Sequence, residues 1–209
     1  MNTIQHIEGG LYDKAVWLGK PTGLSKTKKT THKKVVYSSN DYSDSVTIFP
    51  SLFDTKTAKY RTFEDVVNRI KNGNSKDMVE RIRKGDKKLK TSLPAICFSG
   101  IFSQRCDAGL IKPSGLVCLD FDDVPEVEKF KKALSMCKYV RSAFISPSGT
   151  GVKVIVKING DHKDRCNDLA DYFRSEFLDL QTDICRVCFE SYDKKIYYNP
   201  KSEEFNGRR

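Results

Sequence analysis

In the 209-residue chain no apolar run exceeds four or five residues, far short of the roughly 20 that a membrane-spanning helix needs. The opening MNTIQHIEGG is polar and has no apolar leader core, so nothing in it marks the protein for export. Internal repeats and low-complexity tracts are absent. Histidine is scarce: His6, His32 and His162 are the whole supply, and none is spaced as a pair, which excludes a replication-initiator nuclease built on paired histidines. The single CxxC, Cys185 to Cys188, has no second pair and no neighbouring His. Zinc takes four ligands, so these two are expected to be core or strand thiols. Seven cysteines, an odd number without framework spacing, fit reduced thiols and a cytoplasmic location.

What is present suffices for a core. Hydrophobic residues make up 38% and aromatics 11%, enough for one sizeable domain or two small ones. The formal net charge is +10, which points to a polyanionic partner. That charge is unevenly placed. Residues 1–112 hold 21 Lys and Arg against 11 Asp and Glu, whereas residues 113–209 hold 16 of each. Two basic clusters dominate the first half: Lys20 to Lys34, with six Lys and no acid, and RIRKGDKKLK from Arg81 to Lys90. A single basic run is usually a solvated face. Two runs beside a neutral half predict a surface for a phosphate backbone, with Lys84, Lys87, Lys88 and Lys90 as candidate nucleic-acid contacts.

Residues 1–112 are expected to form a basic α/β subdomain. Strands are predicted at Lys34–Tyr37, near Val46–Phe49 and at Ala95–Phe98 after Pro94. A helix follows Thr62, whose hydroxyl can cap it, with Phe63, Val66, Val67 and Ile70 at helical spacing up to Asn72-Gly73. A second short helix begins at Ser75. Residues 113–209 read more clearly. Strand Leu116–Phe121 is followed by a helix with Val127, Phe130, Leu134 and Cys137 on one face. A hairpin joins Val140–Ser146 to Val152–Ile158. Asp161 caps a second helix whose apolar face is Cys166, Leu169, Phe173, Phe177 and Leu180, and Arg186–Phe189 and Lys195–Tyr198 close the sheet. The class is α+β, and the order β-α-β-β-α-β is the split βαβ, ferredoxin-like or RRM-like pattern.

LDFDD, Leu119–Asp123, carries the most chemistry. Side chains alternate along a strand, so Leu119 and Phe121 point one way while Asp120 and Asp122 point the other, ~6–7 Å apart. Like charges this close favour a raised pKa or a bound cation, and hard divalent ions take carboxylates together with substrate phosphates. A half-buried strand running into an acidic turn is the plain alternative, weakened because Asp is disfavoured in strands. The hairpin turn is Ser146-Pro147-Ser148-Gly149-Thr150-Gly151, followed by Val152 and Lys153. Its glycines can converge backbone N–H groups into an anion-cradling nest. Ser148 adds a hydroxyl and Lys153 a point charge on the phosphate side. An ordinary tight turn uses the same residues. Asp179 and Asp183 are expected to flank the end of the second helix, where either could return to the Asp120/Asp122 face as a third ligand, with Arg186 neutralising phosphate oxygens.

LPAICFSGIF, GLVCLDFDDV, SPSGTGVKVIVKI and TDICRVCFESYDKKIYYNP, in that order and spacing over about residues 60–200, resemble the VirE N-terminal-like domain of bacterial mobile elements. That family looks like a primase-polymerase branch of the archaeo-eukaryotic primase superfamily. The resemblance implies an RRM-like catalytic core, two Mg²⁺ or Mn²⁺ ions, and template-directed nucleotidyl transfer from an NTP or dNTP. It places the paired-acid motif on Asp120 and Asp122 and the single-acid motif on Asp179 or Asp183. The Ser-x-His motif falls on Gly149–Lys153, with Lys153 where His stands. Single-stranded or primed DNA is the implied template, and a replicative helicase an implied partner. Two further readings are a non-catalytic binder of single-stranded nucleic acid and a metal-dependent nuclease. The binder leaves the paired carboxylates unexplained.

Overall fold

The computed structural model describes residues 42–207; the expected strand Lys34–Tyr37 and the first basic cluster, Lys20 to Lys34, lie outside them. Along the chain run β1 (Ser45–Phe49), β2 (Lys59–Thr62), α1 (Phe63–Asn72), α2 (Lys76–Arg83), a 3-10 turn (Lys87–Ser92), β3 (Ala95–Cys97), β4 (Gly100–Phe102), a short 3-10 turn (Asp107–Gly109) and β5 (Leu110–Pro113). Then come β6 (Leu116–Phe121), α3 (Val127–Leu134), β7 (Val140–Ile145), β8 (Val152–Lys157), α4 (His162–Phe173), β9 (Leu178–Asp179), β10 (Cys188–Phe189) and β11 (Tyr197–Tyr198). The class is mixed α+β with antiparallel sheets. No described helix is long and apolar enough to cross a membrane.

The local signals act as read. The Thr62 hydroxyl accepts the Asp65 N–H at 3.1 Å, Phe63, Val66, Val67 and Ile70 are all buried, and Gly73 ends α1 in the left-handed region at φ +80°. Asp161 caps α4 by accepting the Asp164 N–H at 3.0 Å. β7 and β8 form the expected hairpin.

The five-stranded sheet has the order β11-β7-β8-β6-β9. Its strands β6, β7, β8 and β9, alternating with α3 and α4, complete the split βαβ order. Two expectations for its far end are corrected. Helix α4 stops at Phe173, with Arg174 at φ +45°, so Phe177 and Leu180 are not on it. Helical spacing continues through Phe177, but the chain turns at Ser175 and donates its backbone to the edge of β6, with the Asp122 N–H bonded to Phe177 O at 2.8 Å. Long-range pairing overrides the local period here. The expected closing strand Arg186–Phe189 shortens to Cys188–Phe189 and pairs with β3, in a four-stranded sheet of order β10-β3-β1-β2. Tyr197–Tyr198 instead edges β7.

Residues from Ser43 onward form one compact unit, which the 1–112/113–209 boundary crosses and β10 spans. Both faces of the five-stranded sheet are covered. Val117, Leu119 and Phe121 of β6 and Val152, Val154 and Val156 of β8 pack with Phe130 of α3 and Leu169 of α4. The opposite face puts Leu116, Phe144 and Ile155 against Val66 and Ile70 of α1, Ile48 of β1 and Ile96 of β3.

Glu190, fully buried, binds the two halves. Its carboxylate accepts Arg69 Nε at 2.5 Å and Nη2 at 3.0 Å, and also the Ser75 hydroxyl. Ser75 therefore makes no side-chain cap on α2. Removing one partner of a buried ion pair strands the other. Glu190→Ala is expected to lower the unfolding free energy by about 3 kcal/mol, against about 1 kcal/mol for the Thr62→Ala cap loss, both read from urea denaturation.

Candidate functional site

Backbone register builds the site. Asp120 of β6 lies opposite Lys153 of β8 on one side and opposite Asp179 of β9 on the other. Like charges directly across a sheet repel, and each is countered. The Lys153 ammonium pairs with Asp120 Oδ2. Arg186 Nη2 lies 3.2 Å from Asp179 Oδ2, and Gln181 Nε2 donates to Asp179 Oδ1 at 2.9 Å. Asp122 follows one residue past the end of β6, and one carboxylate oxygen from each of Asp120, Asp122 and Asp179 lies within 4.8 Å of the others.

Asp120 is half-buried, Asp122 and Asp179 exposed. Burial pushes the Asp122 carboxyl above its usual value; Asp179 and Asp123 add to this, while Lys90 and Arg186 oppose it. Burial likewise pulls the Lys153 ammonium below its ordinary value. Asp120 Oδ1 is buried without a hydrogen-bond partner, an omission that costs about 1–3 kcal/mol. Three carboxylates so gathered are a donor set that could hold a hard divalent ion, and exposed acids also gather on surfaces without any metal.

The remaining candidates divide. Asp183 is outside the carboxylate group. It lines a cavity of about 30 Å³ with Asp120, Lys153, His162 and Arg186, space for roughly one water. The expectation that Asp179 flanks a helix end is corrected, since it is the last residue of β9. The glycine nest is corrected as well. The Gly149 N–H is bonded to Ser146 O at 3.0 Å and the Gly151 N–H to Ser146 Oγ at 3.1 Å, so neither amide is free for an anion. The Ser148 hydroxyl lies 2.8 Å from Ser146 Oγ and 3.2 Å from Thr150 Oγ1. Lys153, expected to project toward phosphate, instead points along the sheet to Asp120.

Gly151 has a different task. A Cβ there would meet Phe121 O at 2.5 Å and Asp122 Oδ1 at 3.0 Å, so only glycine lets the hairpin close on the end of β6. The Val124 N–H bonds Thr150 O at 2.8 Å, fixing the same contact. Arg83, which sequence reasoning left among undifferentiated basic residues, donates to Ser146 O at 3.2 Å and Tyr192 O at 3.0 Å. It clamps the turn from 63 residues away, and no local signal announces that.

Of the four lysines assigned to nucleic acid, Lys84, Lys87 and Lys88 are exposed. Lys90 is half-buried, with its ammonium 5.8 Å from the Phe189 ring centre; its positive charge opposes the upward displacement of the Asp122 carboxyl. Cys188 is buried in β10, and its hydrogen bond with Cys118, then burial, push the Cys118 thiol well up. No metal-ligating group among the described residues includes either cysteine of the CxxC.

Gly151→Ala is expected to force the hairpin off β6, lowering stability by about 1–3 kcal/mol in urea denaturation; unchanged stability would show that the close approach is dispensable.

Residues 88–180 match a protein family described as BT4734-like, N-terminal domain. The matched span contains Asp120, Asp122, the hairpin turn, Lys153 and Asp179, and stops before Asp183 and Arg186. No curated protein and no solved structure matches the chain.

Proposed function

We propose that the domain is a primase-polymerase type, template-directed nucleotidyltransferase acting in mobile-element or phage replication. The observation that carries the reading is the convergence of Asp120, Asp122 and Asp179 within 4.8 Å at the end of the central strand of a split βαβ sheet. The sequence resemblance to primase-polymerases supports the same conclusion.

Asp120, Asp122 and Asp179 would hold Mg²⁺ or Mn²⁺. Bound there, the ions lower the pKa of an attacking 3′-hydroxyl and offset charge at the phosphorus under attack. The protein's own part is positioning and charge. Lys90 and Arg186, both acting on Asp122, face the triphosphate of an NTP or dNTP as fixed positive groups. Lys153 is the resident counter-ion of Asp120, and its ammonium would turn to phosphate oxygen where Asp120 was otherwise neutralised. Ser148 offers a hydroxyl at the hairpin. No side chain serves as a covalent nucleophile. Single-stranded or primed DNA is the template, its backbone on the Lys84–Lys90 segment, and a replicative helicase is the partner that would expose it.

In primer extension with Mg²⁺ or Mn²⁺, Asp120→Asn, Asp122→Asn and Asp179→Asn are each expected to cut incorporation at least 10²-fold, roughly the loss of one transition-state charge contact. Asp183→Asn is expected to stay within a few-fold of wild type. Full incorporation by an Asp120→Asn/Asp122→Asn double variant of native fold sinks the assignment. Release of mononucleotides without added nucleotide would instead mark a nuclease.

A further inference from the structure

Phe53 is 78% exposed, although the loop that carries it is held on every side. The Leu52 N–H bonds Thr91 O at 3.0 Å, and Leu52 O accepts Arg105 Nη2 at 2.6 Å. The Arg105 N–H in turn bonds Thr55 O at 2.9 Å. Asp54 spends its carboxylate inside the loop, with Oδ1 accepting the Lys56 N–H at 3.1 Å and the Thr57 N–H at 2.8 Å. A single exposed apolar residue is ordinary on a protein surface. An aromatic ring presented to water on a backbone this constrained is pre-organised, since little entropy remains to be lost when something stacks on it.

The surroundings say what that something is. The Leu52–Thr91 bond joins the loop to the 3-10 turn Lys87–Ser92, which carries Lys87, Lys88 and Lys90. The described residues give these three lysines no carboxylate partner; the one acid beside them, Asp86, is 2.8 Å from Arg81. Lys56 and Lys59, three and six residues on from Phe53, are exposed. An exposed ring thus sits one backbone hydrogen bond away from a turn of exposed lysines. A ring for base stacking beside cations for phosphates is how single strands are held without sequence readout.

We propose that Phe53 is a base-stacking residue for single-stranded nucleic acid whose phosphates lie on Lys87 and Lys88. As the template path this rests on the nucleotidyltransferase reading; the binding itself does not need it. The test uses the full chain, without metal or nucleotide, and oligo(dT) or oligo(U) as probe. In a Trp17→Phe background, which removes the chain's one native tryptophan, Phe53→Trp is expected to show fluorescence quenching on titration. Phe53→Ala should weaken binding roughly 5- to 150-fold at unchanged thermal stability. Lys87→Gln/Lys88→Gln should reduce the slope of log affinity against log salt by about 1.4. An unquenched Trp at saturating oligonucleotide, or Phe53→Ala binding within two-fold of wild type, overturns the proposal. Quenching in a protein that extends no primer would sink the enzymatic reading and leave this one standing. Normal extension by a Phe53→Ala protein of undiminished affinity would do the reverse.

Discussion

Antiparallel pairing of β9, β6 and β8 sets Asp179, Asp120 and Lys153 in one row across three strands. Residues directly opposite in such a pair have Cβ atoms about 4.5–5.5 Å apart, so two carboxylates are held together by the backbone whatever their charge prefers. Much of the surrounding chemistry answers that constraint. Lys153 sits on one end of the row and Arg186 on the other. Asp122 joins from just beyond the strand, with its carboxyl displaced upward by burial and by its acidic neighbours. The row remains incompletely neutralised at one atom, Asp120 Oδ1, which has neither donor nor water-facing surface. The three carboxylates gathered there are a donor set of the kind a hard divalent ion takes.

The fold makes that row rigid. β6 is central, bonded on both sides, and packed above and below by separate apolar clusters. The carboxylates stand where this cover stops, at the end of the strand. Gly151 brings the hairpin against that end, and Arg83 ties the hairpin to the loop carrying Tyr192. Asp193, also buried, accepts Lys131 Nζ at 2.7 Å and the Ile145 N–H at 3.0 Å, fixing the same loop to α3 and β7. Sites seated on paired strands with such support hold their geometry better than sites on free loops.

Features with local causes were legible in the sequence. Thr62 and Asp161 cap, Gly73 terminates, and period-2 alternation over Leu116–Phe121 separates Leu119 and Phe121 from Asp120. What escaped depends on partners distant in the chain. The pattern Phe173–Phe177 is helical by spacing, yet β9 forms because β6 offers an unpaired edge. The same event brings Asp179, rather than Asp183, into the carboxylate group, a choice that spacing alone left equal. The turn glycines suggested free amides, but Ser146, three and five residues earlier, consumes both. Lys153 was aimed at phosphate, and its position opposite Asp120 depends on strand register that no single strand reveals.

The central claim is that the Asp120–Asp122–Asp179 group is a divalent-ion site with Lys153 as its resident counter-ion. Anomalous diffraction from crystals grown with Mn²⁺ and a non-hydrolysable dNTP analogue tests it most directly. A manganese peak coordinated by Asp120, Asp122 and Asp179 is expected, with the Lys153 ammonium withdrawn from Asp120. No manganese at that position at saturating concentration, with the Lys153–Asp120 pair intact, would contradict it.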